Sequence, residues 1–321
     1  MKIFPILVAF IVSVILTPEL ARRLRKADLS GRDMHSAGKR EIPEMGGIAL
    51  VAGFGSGILF AVAASSFLHA FPEVDVSVLL AALSTVLMAG LIGLMDDLLG
   101  MNQGMKALMP LLAALPLMVV CAGYTSIKVP CLGIVDLWIF YPLVAVPIGV
   151  TIAANAANML AGFNGLEVGL GIVSMTSLAI IAAFLGEVAA LIVLLSGLGA
   201  LLGILYFNWY PAKIFVGDVG TLSIGAIIAV AVIIGSFETA GVIVFIPYAI
   251  DFIFKAANKF PKSFGELRDD GKLHCPASGP VGLGQFIMKL AGGIHERTLV
   301  IVLMGIEAVF GGLAIALYIW R

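Results

Sequence analysis

The chain has 321 residues, of which 61% are hydrophobic and 12% charged, with a formal net charge of −1 at pH 7 and a mean hydropathy of +1.11. A soluble domain carries roughly 25% charged residues, so this composition excludes one and makes lipid the solvent for most of the chain. Near-neutrality gives no basis for a nucleic-acid partner, and the three cysteines, Cys121, Cys131 and Cys275, have neither metal-ligand spacing nor the density of a disulfide framework.

Apolar runs close to the ~20 residues needed to cross a bilayer predict ten spans, at about 3–21, 46–70, 77–95, 105–123, 137–157, 168–185, 188–206, 221–236, 239–257 and 298–320. The expected fold is a polytopic, all-α membrane protein forming a single domain over 1–321. The first run is followed, not preceded, by its positive charges, "RRLRK" at 22–26, and has no small-residue cleavage site, so it reads as a retained anchor. The 37 glycines read mainly as packing residues that let helix backbones approach in lipid.

With the N-terminus outside, the inward connections are 22–45, 96–104, 158–167, 207–220 and 258–297; with their flanks they hold sixteen of the nineteen lysines and arginines. Only Lys2, Lys128 and Arg321 are left for the other side. The positive-inside rule then places these loops in the cytoplasm of a cell-membrane protein.

Three polar clusters fall on that same face. "GLMDDLLGMNQGMK" puts Asp96 and Asp97 at the inner end of the third span, "NAANMLAGFNGLE" lies between the fifth and sixth, and "FNWYPAKIFVGD" puts Asp218 between the seventh and eighth. Adjacent aspartates repel and are costly near a membrane, so keeping both ionised calls for a cation or a basic neighbour. Mg²⁺ takes one or two carboxylates together with phosphate oxygens and waters, and an asparagine carbonyl can join them. Taken alone, "DD" reads more readily as a solvated helix end; Asn158, Asn164 and Asp218 on the same side move the reading to a metal and phosphate site. Lys106 could supply a point charge to phosphate or simply snorkel at the interface. A transporter or lipid flippase would gather its ionisable groups near the bilayer midplane at broken helices. Clustering at one face favours an enzyme. Asp251 and Lys255, four apart, are expected to pair on one helix face, and Glu307, deep in the last span, has no evident partner in the sequence.

"GLMDDLLGMNQGMKALMPLLAALPL", "NAANMLAGFNGLEVG", "YFNWYPAKIFVGDVG" and "GRDMHSAGKREIPEMGG" at 31–47 together resemble the signature regions of the polyprenyl-phosphate N-acetylhexosamine-1-phosphate transferases, most closely the eukaryotic and archaeal dolichyl-phosphate members. The resemblance runs from residue 31 to about 257 in matching order. It implies transfer of a sugar 1-phosphate, GlcNAc by overall similarity or another N-acetylhexosamine, from a UDP-sugar to a polyprenyl or dolichyl phosphate, an initiating step of glycan assembly. Carried over by motif, it implies that Asp96 and Asp97 are the catalytic pair, that Asn158 and Asp218 hold Mg²⁺, with Mn²⁺ as an alternative ion, and that Lys106 contacts phosphate. Met34, Glu44, Gly162, Asn164 and Phe215 would line the nucleoside pocket. The last inward loop, "DDGKLHCPASGPVG" at 269–282, departs from the family's histidine-rich or arginine-containing patterns; Arg268, Lys272 and His274 would be its substitutes for donor contacts, although a lone loop histidine is more often simply solvent-exposed. A homodimer is one assembly open to such a chain.

Overall fold

The computed structural model describes residues 3–36, 38–123, 125–129 and 133–320, so Lys2, Arg321 and Cys131 lie outside the described residues. In lipid every backbone polar group needs an internal partner, and the chain meets that demand with helices. Eight of those described are long and apolar enough to cross a membrane: α1 (Phe4–Lys26), α2 (Gly47–Leu68), α3 (Val76–Leu99), a π-turn Tyr141–Ala145 continuing into α7 (Val146–Met159), α8 (Leu166–Leu185), α9 (Val188–Asn208), α10 (Gly217–Gly235) and α14 (Glu296–Ile319). A ninth is a broken pair, α11 (Glu238–Val244) and α12 (Ile246–Ala257), bent by 55°. Nine of the ten expected spans therefore have a helical counterpart close to the expected bounds.

The remaining span, expected at 105–123, is instead three short pieces, α4 (Gln103–Leu108), α5 (Pro110–Ala113) and α6 (Leu115–Val119). Pro110 and Pro116 explain the breaks, because each lacks the N–H that would continue the preceding helix. Pro247 has the same place at the start of α12. Outside the helices the described residues form three small antiparallel pairs: β1 (Ser30–Arg32) with β2 (Glu41–Pro43), β3 (Ser126–Val129) with β4 (Gly133–Asp136), and β5 (Glu266–Leu267) with β6 (Leu273–His274). A final short helix, α13 (Leu283–Ala291), precedes α14.

The most deeply buried helix is α10, enclosed by α2, α3, α7, α8 and α9. The approach is close because small residues face it: a Cβ on Gly93 of α3 would lie 2.4 Å from the Asp218 carbonyl oxygen, and one on Gly47 of α2 would lie 2.2 Å from Gly220 N. That contact brings the C-terminal end of α3, with Asp96 and Asp97, against the N-terminal end of α10, with Asp218. Asp251 and Lys255 pair at 2.8 Å as their spacing predicts. Glu307 does find a partner: Ser174 Oγ of α8 donates to its Oε1 at 2.5 Å.

Gly93→Ala is expected to lower the thermal midpoint of the detergent-solubilised protein by an overpacking cost of about 1–3 kcal/mol, since the obstructing atoms are backbone. Gly312→Ala, where an added Cβ meets nothing within 4 Å, is expected to leave the midpoint unchanged or raise it; thermal unfolding of the two variants side by side checks this.

Candidate active site

Asp96 and Asp97 follow each other in the last turn of α3, so their side chains diverge by about 100°. Asp97 turns to α10, which begins at Gly217 without a side-chain cap of its own. Asp97 Oδ1 accepts the Asp218 N–H at 2.9 Å and Oδ2 accepts the Val219 N–H at 3.1 Å. It therefore caps α10 from another helix, satisfying two of the N–H groups that a helix start leaves unpaired and placing negative charge at its positive end. Gly217, at φ +66°, fits this contact because a Cβ there would stand 2.5 Å from Asp97 Oδ2.

Asp96 faces the other way. Its Oδ1 accepts the Met101 N–H at 2.7 Å and its Oδ2 lies 2.5 Å from Lys106 Nζ. The same ammonium is ion-paired with Asp218 Oδ2. With its amide nitrogen turned toward the acceptors, Asn158 donates to Thr221 Oγ1 at 3.1 Å and Asp218 Oδ1 at 3.0 Å, and its oxygen accepts from Lys106 Nζ at 3.0 Å. Two carboxylates and an amide oxygen, from three helices, thus converge on one cationic atom. Oxygens so placed are the donor set a hard divalent cation takes, so Asp96, Asp218 and Asn158 fit a Mg²⁺ ion.

The expected nucleoside residues differ in their surroundings. The loop between α7 and α8 folds back at Gly162, φ +111°, whose N–H donates to Glu167 Oε1 at 2.6 Å. Phe215 is half-buried in a stretch that pairs with the end of β2 and the residues after it: its N–H donates to Pro43 O at 2.8 Å and its carbonyl accepts from Gly46 N–H at 2.7 Å. That pairing brings Glu44 to the cluster; its carboxyl is pushed up by burial and by the charge of Asp97. Met34 is exposed.

Asn164 is not open to solvent. Its N–H and Nδ2 both donate to Glu296 Oε1, at 2.7 and 2.8 Å, and its Oδ1 accepts from Ala212 N–H at 3.3 Å. It bridges the α7–α8 loop, the segment leading to Phe215 and the start of α14. Arg268 and His274 sit on the β5–β6 hairpin, 3.8 Å from Glu266 and 3.0 Å from Asp270 respectively, and the latter contact helps hold the Asp270 carboxyl below the usual range. Among the described residues, no ion pair or hydrogen bond joins either to the Asp96–Asp218 cluster.

Sequence reasoning missed Glu296 and His35. Glu296 is an acid in the first turn of an apolar helix, an ordinary place for a carboxylate, so only its partner marks it. His35 is buried; its ring stacks on Phe163 at 4.7 Å, its Nε2 accepts the Gly265 N–H at 3.2 Å, and its Nδ1 lies 3.8 Å from Glu296 Oε1. Asp33, His35 and Glu296 bring ligand atoms within 4.8 Å of one another. Arg40, 3.3 Å from Asp33, and the two Asn164 donors on Glu296 already supply partners, so the group acts as a knot between loops. A second tie comes from Lys255, whose ammonium donates to the Met159 carbonyl beside Asn158, while its partner Asp251 accepts the Leu283 N–H at 2.8 Å.

A bundle of membrane-length helices that collects aspartates, a lysine and an asparagine at one end defines a polytopic membrane protein with a charged site at the bilayer surface. Residues 79–236, the stretch carrying that cluster, match the family model described as glycosyl transferase family 4. A protein of Saccharolobus solfataricus is 38% identical over 319 residues, covering 98% of this chain and 96% of its own length; its name gives it, provisionally, as a UDP-N-acetylglucosamine–dolichyl-phosphate N-acetylglucosaminephosphotransferase. A Dictyostelium discoideum protein carrying that name without qualification is 30% identical over 285 residues, 76% of this chain and 69% of its own length. A Streptococcus thermophilus phospho-N-acetylmuramoyl-pentapeptide-transferase is also 30% identical, over 262 residues, 76% of this chain and 75% of its own length. The chain belongs to glycosyl transferase family 4.

Burial, opposed by the charge of Asp33, lowers His35 from 6.5 to about 4. Between those values the unfolded chain takes up a proton that the folded one refuses, so this group's contribution to stability is full above pH 6.5 and is lost as the pH falls toward 4. The groups facing it are Asp33 and Glu296, with Arg40 behind Asp33. Thermal midpoints measured from pH 7 to 4 should fall less steeply for His35→Gln than for the wild type.

Proposed function

We propose that this chain transfers GlcNAc 1-phosphate from UDP-GlcNAc to dolichyl phosphate held in the bilayer. An oxygen of the lipid phosphate attacks the β-phosphorus, the bond from that phosphorus to the bridging oxygen breaks, and UMP leaves with the electron pair. The observation that carries this reading is the convergence of Asp96, Asp218 and Asn158 on the ammonium of Lys106, within the stretch matched to the family. Its oxygens suit a cation and its ammonium suits a phosphate.

Asn158 and Asp218 are the proposed Mg²⁺ ligands, with Mn²⁺ as the alternative ion. The metal, when bound, supplies positive charge to the donor diphosphate. Lys106 then turns from its carboxylate partners to a phosphate oxygen as a point charge. The two adjacent aspartates divide the work. Asp96 faces the reacting groups and steers Lys106, whereas Asp97 holds the start of α10 and so fixes where Asp218 stands. A phosphate monoester with a second pKa near ~6 is already mostly dianionic at neutral pH, so the acceptor needs little help from a base. Both Asp97 oxygens and Asp96 Oδ1 hold backbone N–H partners, which favours direct attack over an aspartyl intermediate. Positioning and charge neutralisation then carry the catalysis.

Phe215 offers a half-buried ring for stacking on uracil, and Gly162, whose backbone turns at φ +111°, is a glycine of the α7–α8 loop motif. Met34 and Glu44 complete the rim, and Asn164 sets the separation of the two loops. The β5–β6 hairpin offers Arg268 and His274 as contacts for the donor sugar. The basic loops support a cytoplasmic location for this end, on the side where nucleotide sugars are made, with the N-terminus outside.

Mg²⁺-dependent UMP release from UDP-GlcNAc and dolichyl phosphate tests the assignment. Asp218→Ala is expected to cut turnover by on the order of 10²–10³-fold, the cost of losing one transition-state charge contact, while Asn158→Ala retains more activity and needs more Mg²⁺. Equal activity of both variants without Mg²⁺ would sink the metal assignment.

A further inference from the structure

A groove of about 550 Å³ lies between the end of α1 and the turn after α9, and it shares no lining residue with the Asp96–Asp218 cluster. Its α1 wall is one helical stripe: Pro18, Ala21, Arg22 and Arg25 follow the i, i+3, i+4, i+7 spacing, so the stripe changes from apolar to basic as the helix ends. Lys26 extends it. The facing wall is Phe207, with Lys213 beyond it. Four cations therefore border an apolar floor at the C-terminal end of α1.

These cations are poorly neutralised. Arg22 is paired with Glu19 at 2.9 Å, but among the described residues no ion pair engages Arg25, Lys26 or Lys213. Lys213 lies 4.2 Å from the centre of the Tyr206 ring, a contact that leaves its charge uncompensated. Asp28 and Glu41 line a second cavity that shares Arg25 but neither Phe207 nor Lys213. Apolar below and cationic above is the polarity of a phospholipid read from chain to headgroup.

We propose that this groove is a binding site for the phosphate headgroup of an anionic phospholipid, with an acyl chain lying against Pro18, Ala21 and Phe207. The occupant is a resident lipid and not the acceptor, because the acceptor phosphate has to reach the Lys106 cluster, which contributes nothing to this groove. The site also bears on the reaction. The Phe207 carbonyl accepts the Lys213 N–H at 2.7 Å and the Ile214 N–H at 3.3 Å, and Asn208 Nδ2 donates to Ile214 O at 3.0 Å, so the groove wall is one closed turn leading directly into Phe215 and Asp218. A headgroup held by Lys213 steadies that turn.

Native mass spectrometry of the full-length protein, released from nanodiscs of phosphatidylglycerol mixed with phosphatidylcholine, tests the site without any need for turnover. Its failure is therefore separable from failure of the transferase reading. Wild type should retain one phosphatidylglycerol per chain in preference to phosphatidylcholine. The preference should fall about fivefold for each cation removed, the size of one basic residue's attraction at an anionic surface, in Lys213→Gln and further in Arg25→Gln/Lys26→Gln/Lys213→Gln. If the triple variant does not fold, the single variant, checked by its thermal midpoint, carries the comparison. Equal retention of both lipids by wild type, unchanged retention in Lys213→Gln, or one-for-one displacement of phosphatidylglycerol by dolichyl phosphate would each overturn the proposal.

Discussion

The ammonium of Lys106 draws Asp96 from the end of α3, Asp218 from the start of α10 and Asn158 from the end of α7 onto a single point at the rim of the bundle. Carboxylates gathered at a membrane surface repel one another and pay for lost hydration unless a cation stands among them. With Lys106 in place the three helix ends can meet, and the short α4 that carries it is fixed by the same contacts. The ammonium keeps these oxygens ordered, and the same oxygens are of the kind a hard divalent cation takes.

The rest of the architecture keeps those helix ends in register. Asp97 fastens α3 to α10 by two backbone N–H groups, and the glycine contacts Gly93–Asp218 and Gly47–Gly220 allow the backbones to come close enough for that cap to form. Glu296 ties the α7–α8 loop through Asn164 to the segment before Phe215, and Lys255 does the same for the carbonyl next to Asn158. Loops of this kind would move freely if solvent were their only partner. Here each is held by a charged or amide side chain from a neighbouring helix, so the chemical groups are mounted on a scaffold that lipid already makes rigid.

Much of this was legible in the sequence because the constraints behind it are local. Length and hydropathy located nine helical spans, and the one that came out differently failed for a stated reason: hydropathy counts Pro110 and Pro116 among apolar neighbours but does not register their missing N–H. Asp96, Lys106, Asn158 and Asp218 could be named from their motifs, and the basic loops put them on one face. The division between Asp96 and Asp97 was not legible, since it depends on which of two adjacent side chains points at a helix start 121 positions away. Asn164 was expected to face the nucleoside, yet it is buried against Glu296 and Ala212. Glu296 itself gave no signal, because an acid in a first helical turn is ordinary until its partner is known. Residues whose roles depend on long-range contacts are the ones a linear reading misses.

If Lys106 stands on the oxygens that a divalent cation takes, the two cations compete, and that competition can be measured without donor or acceptor. Mn²⁺ binding to the purified protein, followed by the electron paramagnetic resonance signal of the free ion, reads it directly. Lys106→Met is expected to bind Mn²⁺ more tightly than wild type by about tenfold, the effect of roughly 1.4 kcal/mol of relieved competition, and Asp218→Asn is expected to bind it far more weakly. Equal Mn²⁺ affinity in wild type, Lys106→Met and Asp218→Asn would contradict a shared cation site.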